Sequence, residues 1–200
     1  TLSSSSAASD VYKRQIRGSI DNVQYEIVGY KMEKDNFFFR DSQGFNVENG
    51  KTEHEGIEFN YLVSIGKNLE ISGSASLANH KYDFDHLPNG IRNGNIIDSA
   101  PKKLANTRFS YLFLKDGKIE VEWIKVGDYP IDERNAHFYA GHDIFNLRAQ
   151  VSISETSNFA FKVANLTDER YATRADFAFG SYRYFVGNER EFHFSINKQF

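Results

Sequence analysis

Ile57-Glu58-Phe59-Asn60-Tyr61-Leu62-Val63-Ser64-Ile65 is followed by the tight turn Gly66-Lys67-Asn68 and then by Leu69-Glu70-Ile71-Ser72. Side chains alternate across an extended chain, so Ile57, Phe59, Tyr61, Val63 and Ile65 share one face and Glu58, Asn60 and Ser64 the other. Beyond the turn, Leu69, Ile71, Ala75 and Leu77 oppose Glu70, Ser72, Ser74 and Ser76. A period of two on both sides of a short turn predicts an antiparallel hairpin with one apolar and one polar face.

The same unit recurs along the chain. Val23, Tyr25 and Ile27 alternate with Gln24 and Glu26 in a strand predicted to run to about Glu33, before a loop rich in Asp, Asn and Gly that reaches Gly50. A polar loop follows the second half of the hairpin, from about Lys81 to Lys103. Phe109, Tyr111 and Phe113 precede the turn Lys115-Asp116-Gly117-Lys118, and Ile119, Val121 and Trp123 then oppose Glu120 and Glu122. Asp-Gly between alternating runs is a strong hairpin signal. After a loop near Asp128 to Gly141, Phe145, Leu147, Ala149, Val151 and Ile153 oppose Asn146, Arg148, Gln150 and Ser152. Ser154 to Asn158 turn the chain into Phe159, Phe161 and Val163, and a loop from Thr167 to Asn188 leads to a last strand. There Phe192, Phe194, Ile196 and Phe200 fall on one parity and His193, Ser195, Asn197 and Gln199 on the other, with Lys198 alone breaking the apolar face.

About eight strands result, joined alternately by turns of two to five residues and by loops of roughly ten to twenty. A soluble sandwich has little reason to place every short turn at one end and every long loop at the other. A transmembrane β-barrel does, because its periplasmic turns are short and its extracellular loops long. Its strands of about ten residues, tilted by about 45°, span a hydrocarbon band of roughly 25 Å. The polar faces carrying Glu58, Asn60, Glu70, Ser72, Glu120, Glu122, Arg148 and Gln150 must then point into the lumen, since a charge facing lipid costs a few kcal/mol.

Composition agrees. No stretch approaches the roughly 18 consecutive apolar residues of a membrane helix. Charged residues make up 26% and hydrophobic ones 40%, which a barrel tolerates because only alternate positions need be apolar. Eighteen Phe and eleven Tyr against one Met and one Trp favour strands. A net charge of −3 argues against a nucleic-acid partner, and the lack of cysteine excludes disulfides and thiolate metal sites. Residues 1–15, a Ser/Ala-rich run ending in Asp10-Val11-Tyr12-Lys13-Arg14-Gln15, show no alternation continuous with the next strand. They resemble translated sequencing-adapter read-through and are expected to be a disordered, non-native tail. Chemistry is sparse: no serine sits in a nucleophile motif, and no His pairs with a carboxylate at a recognisable metal spacing. His80, Asp83, Asp85 and His86 gather in one loop, for which a hydrated polar surface is the expectation rather than a cation site. Neither a metal, a cofactor nor an enzymatic activity is expected.

Four phrases resemble the C-terminal barrel region of TonB-dependent receptors, the plugged transporters of Gram-negative outer membranes. They are Asn49-Gly50-Lys51-Thr52-Glu53-His54-Glu55-Gly56-Ile57-Glu58-Phe59, Val126-Gly127-Asp128-Tyr129, Asn165-Leu166-Thr167-Asp168-Glu169-Arg170-Tyr171-Ala172, and the last strand. The third is the most specific, since the family commonly places Asn-Leu-x-Asp/Asn-x-x-Tyr before its last extracellular loop. The resemblance covers 16–200 and implies the C-terminal third or so of a 22-stranded barrel without its plug. The fold expected is therefore all-β: an antiparallel transmembrane barrel fragment of about eight strands, open and curved, with an unpaired edge on the last strand.

The resemblance further implies import of a scarce bulky solute, most often a ferric siderophore, with haem, cobalamin or a glycan as other options. It implies as partners the TonB energy-coupling complex acting through the plug, the barrel assembly machinery and outer-membrane lipid. Arg134, His137 and Tyr139 in one loop and Arg174, Tyr182, Arg183 and Tyr184 in another would place cations and aromatic rings at the outer mouth, suited to an anionic ferric chelate. Packing of these rings on each other, or in the interfacial girdle, is the competing expectation. Phe192, Phe194, Ile196 and Phe200 would form the closing strand, with Phe200 as the aromatic end that the assembly machinery recognises. A passive porin or small barrel, and a soluble β-sandwich binding module, are the alternatives.

Overall fold

The computed structural model describes residues 8–41, 43–113 and 116–198. Thirteen strands are formed by these residues: β1 (Ala8–Ile20), β2 (Val23–Arg40), β3 (Asn46–Ile65), β4 (Leu69–Tyr82), β5 (Lys103–Phe113), β6 (Gly117–Val126), β7 (Tyr129–Pro130), β8 (Phe138–Tyr139), β9 (His142–Ser154), β10 (Ser157–Ala164), β11 (Ala172–Ala178), β12 (Ser181–Val186) and β13 (Glu191–Lys198). Nine of them make one sheet in the order β1-β2-β3-β4-β5-β6-β9-β10-β13, every pair antiparallel. Among the described residues the sheet is a meander that stays open, for β1 pairs with β2 alone and β13 with β10 alone. The unpaired edge expected on the last strand is present; Phe200 and its preceding residue lie outside the described residues.

The register carries the alternation across the sheet from β2 to β13. Ser72 faces Arg108, which faces Glu122, which faces Asn146, so even-numbered residues of β4, β5, β6 and β9 share the polar face. Lys162 on β10 faces His193, which moves the polar face to odd numbers on β13 and leaves Phe192, Phe194 and Ile196 on the apolar one. On the polar face Glu122 is buried and accepts from Asn106 Nδ2 at 3.0 Å, Arg108 Nε at 3.0 Å, Asn146 Nδ2 at 3.0 Å and Arg148 Nη2 at 2.9 Å. Glu120 takes Arg148 Nη1 at 2.8 Å, Lys118 Nζ at 3.0 Å and the Ser110 hydroxyl at 3.1 Å. Glu120, Glu122, Arg108, Lys118 and Arg148 on this face thus compensate one another.

The opposite face is apolar and bare. Ile57 is 56% exposed, Leu77 57%, Phe194 68% and Ile196 72%, with Ile27, Phe59, Phe109, Tyr111 and Ile119 continuing the band. Monomeric soluble proteins rarely expose a contiguous apolar patch beyond a few hundred Å². The band ends sharply on the side of the long loops. Trp123 donates its indole N–H to Asp143 at 2.7 Å, Lys125 pairs with the same carboxylate at 3.1 Å, and Lys31 pairs with Glu53 at 2.9 Å. A tryptophan at the rim, apolar below and hydrogen-bonded above, is what an interfacial position selects.

Three expectations about boundaries are corrected. Residues 8–15, expected to lie outside the fold, are strand: β1 begins at Ala8 and pairs with β2 from Ala8↔Asp35 to Ile20↔Val23. Ladder hydrogen bonds come from the backbone, so a long β2 edge can hold a partner whose side chains do not alternate. The loop expected between Glu33 and Gly50 is mostly a continuation of β2, which runs to Arg40, and of β3, which begins at Asn46. Phe37 and Phe39 stack at 5.3 Å, and Phe39 meets Tyr82 at 5.8 Å and Phe84 at 6.4 Å, so aromatic packing carries the ribbon past its polar composition. The loop from Thr167 to Asn188 contains the β11–β12 hairpin.

Candidate functional site

The buried apolar cluster of the molecule sits in the loop layer, not in the sheet. Tyr129, Ile131, Ala172 and Ala175 form it, with Val126, Tyr139 and Phe177 packed around. The loop after β6 folds into the short β7–β8 ladder, and the loop after β10 lays the β11–β12 hairpin over it. Backbone groups complete the joint: Phe177 N–H donates to Ile131 C=O at 2.8 Å, Ala175 N–H to Tyr129 Oη at 3.3 Å, and Ala172 N–H to Tyr139 Oη at 3.0 Å. Burial pushes the Tyr129 hydroxyl pKa up, so it is un-ionised and free to take that bond.

Six of the seven residues expected at the mouth are brought together by this joint. His137 stacks on Phe177 with centroids 3.6 Å apart and meets Tyr182 edge-on at 5.4 Å. Tyr182 stacks with Tyr184 at 6.3 Å, and Tyr184 lies 6.4 Å from Tyr139. Arg174 and Arg183 both reach Asp176, at 3.5 Å and 2.5 Å, while their guanidiniums lie over Phe185 and Phe179 at 5.5 Å and 5.8 Å. Arg134 stands apart from the six. It lies on Gly90 of the neighbouring loop, so close that a Cβ there would come within 2.4 Å of its Nε. The rings do pack on each other, and their outer sides stay open: Tyr182 and Tyr184 are each half exposed.

Beside this stack an open groove is lined by Tyr139, Gly141, Tyr171 and Tyr184, with the carboxylates Asp168, Glu169 and Glu189 and one arginine, Arg170, around it. Gly141, with φ +82°, brings the chain against Val126, where a Cβ would lie 2.3 Å from the carbonyl oxygen. His142 hydrogen-bonds Tyr139 Oη at 2.8 Å, and burial lowers its pKa so that it stays neutral at pH 7. Two arginines against one carboxylate leave the hairpin formally +1 at this point. Exposed aromatic rings next to that charge form a surface able to stack on and attract a flat or anionic molecule.

Three residues that sequence reasoning passed over hold the site. Asp132 is buried and takes Ala136 N–H at 3.0 Å, His137 N–H at 2.9 Å and His137 Nδ1 at 3.3 Å, which aims the ring at Phe177. Asp176 is buried under the two arginines. Asn165, left-handed at φ +50° and buried, donates to the Glu169 and Asn188 carbonyls at 2.9 and 3.0 Å and accepts Glu169 N–H at 2.9 Å. The signal for Asn165 was in the phrase already quoted, whose Tyr171 packs on Gly187 so tightly that a Cβ would meet its ring at 2.2 Å. The loop carboxylates Asp83 and Asp85 bind Asn93, through its amide side chain at 3.1 Å and its backbone N–H at 3.0 Å. Among the described residues, no group of three or more His, Cys, Asp and Glu is placed to hold a metal.

Comparison with solved structures finds the same architecture. The ferric yersiniabactin uptake receptor FyuA from Yersinia pestis matches with a TM-score of 0.81 at 15% identity, over 96% of this chain and 30% of that one. The ferric citrate transporter FecA matches at 0.79 and 16%, over 96% and 31%. The copper transporter OprC matches at 0.76 and 18%, over 96% and 32%. The chain thus spans about three-tenths of the proteins whose fold it shares. No curated protein sequence matches it. The sequence pattern of the family described as TonB dependent receptor-like, beta-barrel, matches residues 14–166, more than half of the chain, and with the open antiparallel meander and its bare apolar band it shows that the chain belongs to the TonB-dependent receptor barrel family.

Proposed function

We propose that the chain is the C-terminal part of a Gram-negative outer-membrane transporter that imports a scarce, bulky and anionic solute, a ferric siderophore before haem, cobalamin or a glycan. The observation that carries the reading is the joint between the two outer loops, which gathers Arg174, Arg183, Tyr182, Tyr184, His137 and Tyr139 at one end of a sheet whose outside is apolar. Lipid covers the apolar band, the compensated polar face lines the lumen, and the loop layer stands outside the cell. Ferric siderophores are handled by relatives such as FyuA, which supports this substrate class, while OprC carries copper and marks the class as one among several. Energy would come from TonB acting on a plug, and insertion from the barrel assembly machinery.

The test is uptake of radioactive iron by the whole receptor in cells lacking their own ferric receptors, offered catecholate, hydroxamate and carboxylate siderophores in turn. Import of at least one, lost without TonB and lowered in an Arg174→Ala/Arg183→Ala double variant, is the expected result. Uptake that persists without TonB would favour a passive pore. No uptake of any ferric chelate would overturn the substrate class.

A further inference from the structure

One polar cluster lies apart from the loop joint. His54 on β3 and His80 on β4 are direct partners in the ladder, and Met32 on β2 is the partner of His54 on its other side. Directly opposed residues share a face, so the single methionine of the chain and two histidines form one row on the polar side. The row stands level with the charged Lys31–Glu53 pair, above the apolar band. The two Nδ1 atoms are 2.9 Å apart, with ring centroids at 5.0 Å and planes at 57°. At that distance one nitrogen carries a proton and the other a lone pair. His54 Nε2 lies 2.9 Å from Thr52 Oγ1. An Nε2–H donating to that hydroxyl leaves His54 Nδ1 as the acceptor facing His80. Burial holds both rings below their ordinary pKa, His54 at about 4, so both are neutral at pH 7.

We propose that His54, His80 and Met32 form a copper(I) site on the inner wall of the mouth, the ion taking the place of the proton between the two Nδ1 atoms. Metal–imidazole bonds of about 2.0–2.1 Å at the roughly 120° angle of a three-coordinate site hold two nitrogens about 3.5 Å apart, so the pair need open by only about 0.6 Å. His80 moves its proton from Nδ1 to Nε2 and no net proton is released. Cross-strand partners have Cβ atoms about 5 Å apart, within reach of an unbranched methionine side chain that can turn its sulfur toward His54. Two borderline nitrogens and a soft thioether select copper(I) over hard cations. Lys34, the cation whose charge acts on His54 from the same face, opposes a divalent ion more than a monovalent one. Thr52 fixes the ring by its second nitrogen, as outer-shell partners of metal-bound histidines do. The site rests on the register of three strands and not on the transport reading.

The test is an anaerobic titration of the full chain in detergent micelles with copper(I), in competition with a chromogenic copper(I) chelator. One copper per chain is expected. His54→Asn and His80→Asn should each weaken retention by more than the roughly 10–100-fold that loss of an outer-shell partner costs. Met32→Leu should weaken copper(I) but leave zinc(II) binding as it was, and His193→Asn should change neither. X-ray absorption on the loaded parent, which needs no variant, should show two nitrogens and one sulfur. A copper shell without sulfur, copper retained by the His54→Asn/His80→Asn double variant, or no copper held by the parent would each overturn the site.

Discussion

Glu122→Ala tests the claim that the polar face is held by a mutually compensated charge network. The side chain of Glu122 is 5% exposed and takes four donors, two of them guanidiniums. Removing one member of a buried ion pair costs about 3–5 kcal/mol, because the partner charge is left desolvated. Here the partners escape part of that cost: Arg108 and Arg148 are 49% and 39% exposed and can rehydrate. The expected loss is therefore about 2–4 kcal/mol. Trp123 is the single tryptophan and the next residue in the strand, so urea unfolding in detergent followed by its fluorescence reports on the right place. Glu122→Gln, which keeps the shape but sets an NH₂ against donors, should fall between parent and Ala. A cycle with Arg148→Ala should show coupling of about 1–2 kcal/mol. A Glu122→Ala protein within about 0.5 kcal/mol of the parent would refute the reasoning, since that is what an ordinary exposed surface charge gives.

Asn165→Ala removes three hydrogen bonds at a left-handed residue, and should cost about 2–3 kcal/mol while speeding proteolysis within 167–190. Asp98 accepts from Tyr82 Oη at 2.7 Å, and burial, more than any other influence, raises its pKa above the ordinary 3.8. A raised carboxyl contributes stability that is full below pH 3.8 and lost as pH rises through the folded value. Asp98→Asn should thus flatten the pH dependence of melting on the acid side without destabilising the protein at pH 7. Trp123 fluorescence in vesicles should be quenched more by bromines near the headgroup than by bromines at the bilayer centre; equal or reversed quenching would remove it from the rim.

The face pattern was legible because it is local. A period of two needs only the identity of residues a few positions apart, and Asp116-Gly117 or Gly66-Lys67-Asn68 announce their turns without help from elsewhere. Outer structure was not legible because distant partners decide it. Phe37 to Arg40 are strand on account of Tyr82 and Phe84, and the β11–β12 hairpin rests on Tyr129 and Ile131 from a loop some forty residues earlier. Arg134 and Arg183 looked equivalent as loop arginines, yet one packs on Gly90 and the other on Asp176. The pairing of His54 with His80 is hidden for the same reason, since residues 26 apart meet only once the register of β3 and β4 is known.

The open sheet sets a demand of its own. Among the described residues β1 and β13 each present a ladder edge with no partner, and in a hydrocarbon layer every unsatisfied backbone group costs several kcal/mol. Water would satisfy those edges but leave the apolar band, with Ile196 72% and Phe194 68% exposed, uncovered. Neither solvent suits both surfaces of nine strands by themselves. Further strands that pair with β1 and β13 meet both conditions at once, because closure removes the edges while the band keeps facing lipid. The compensated charges around Glu122 then line an interior that other strands complete, and the joint between the outer loops becomes one arc of a rim.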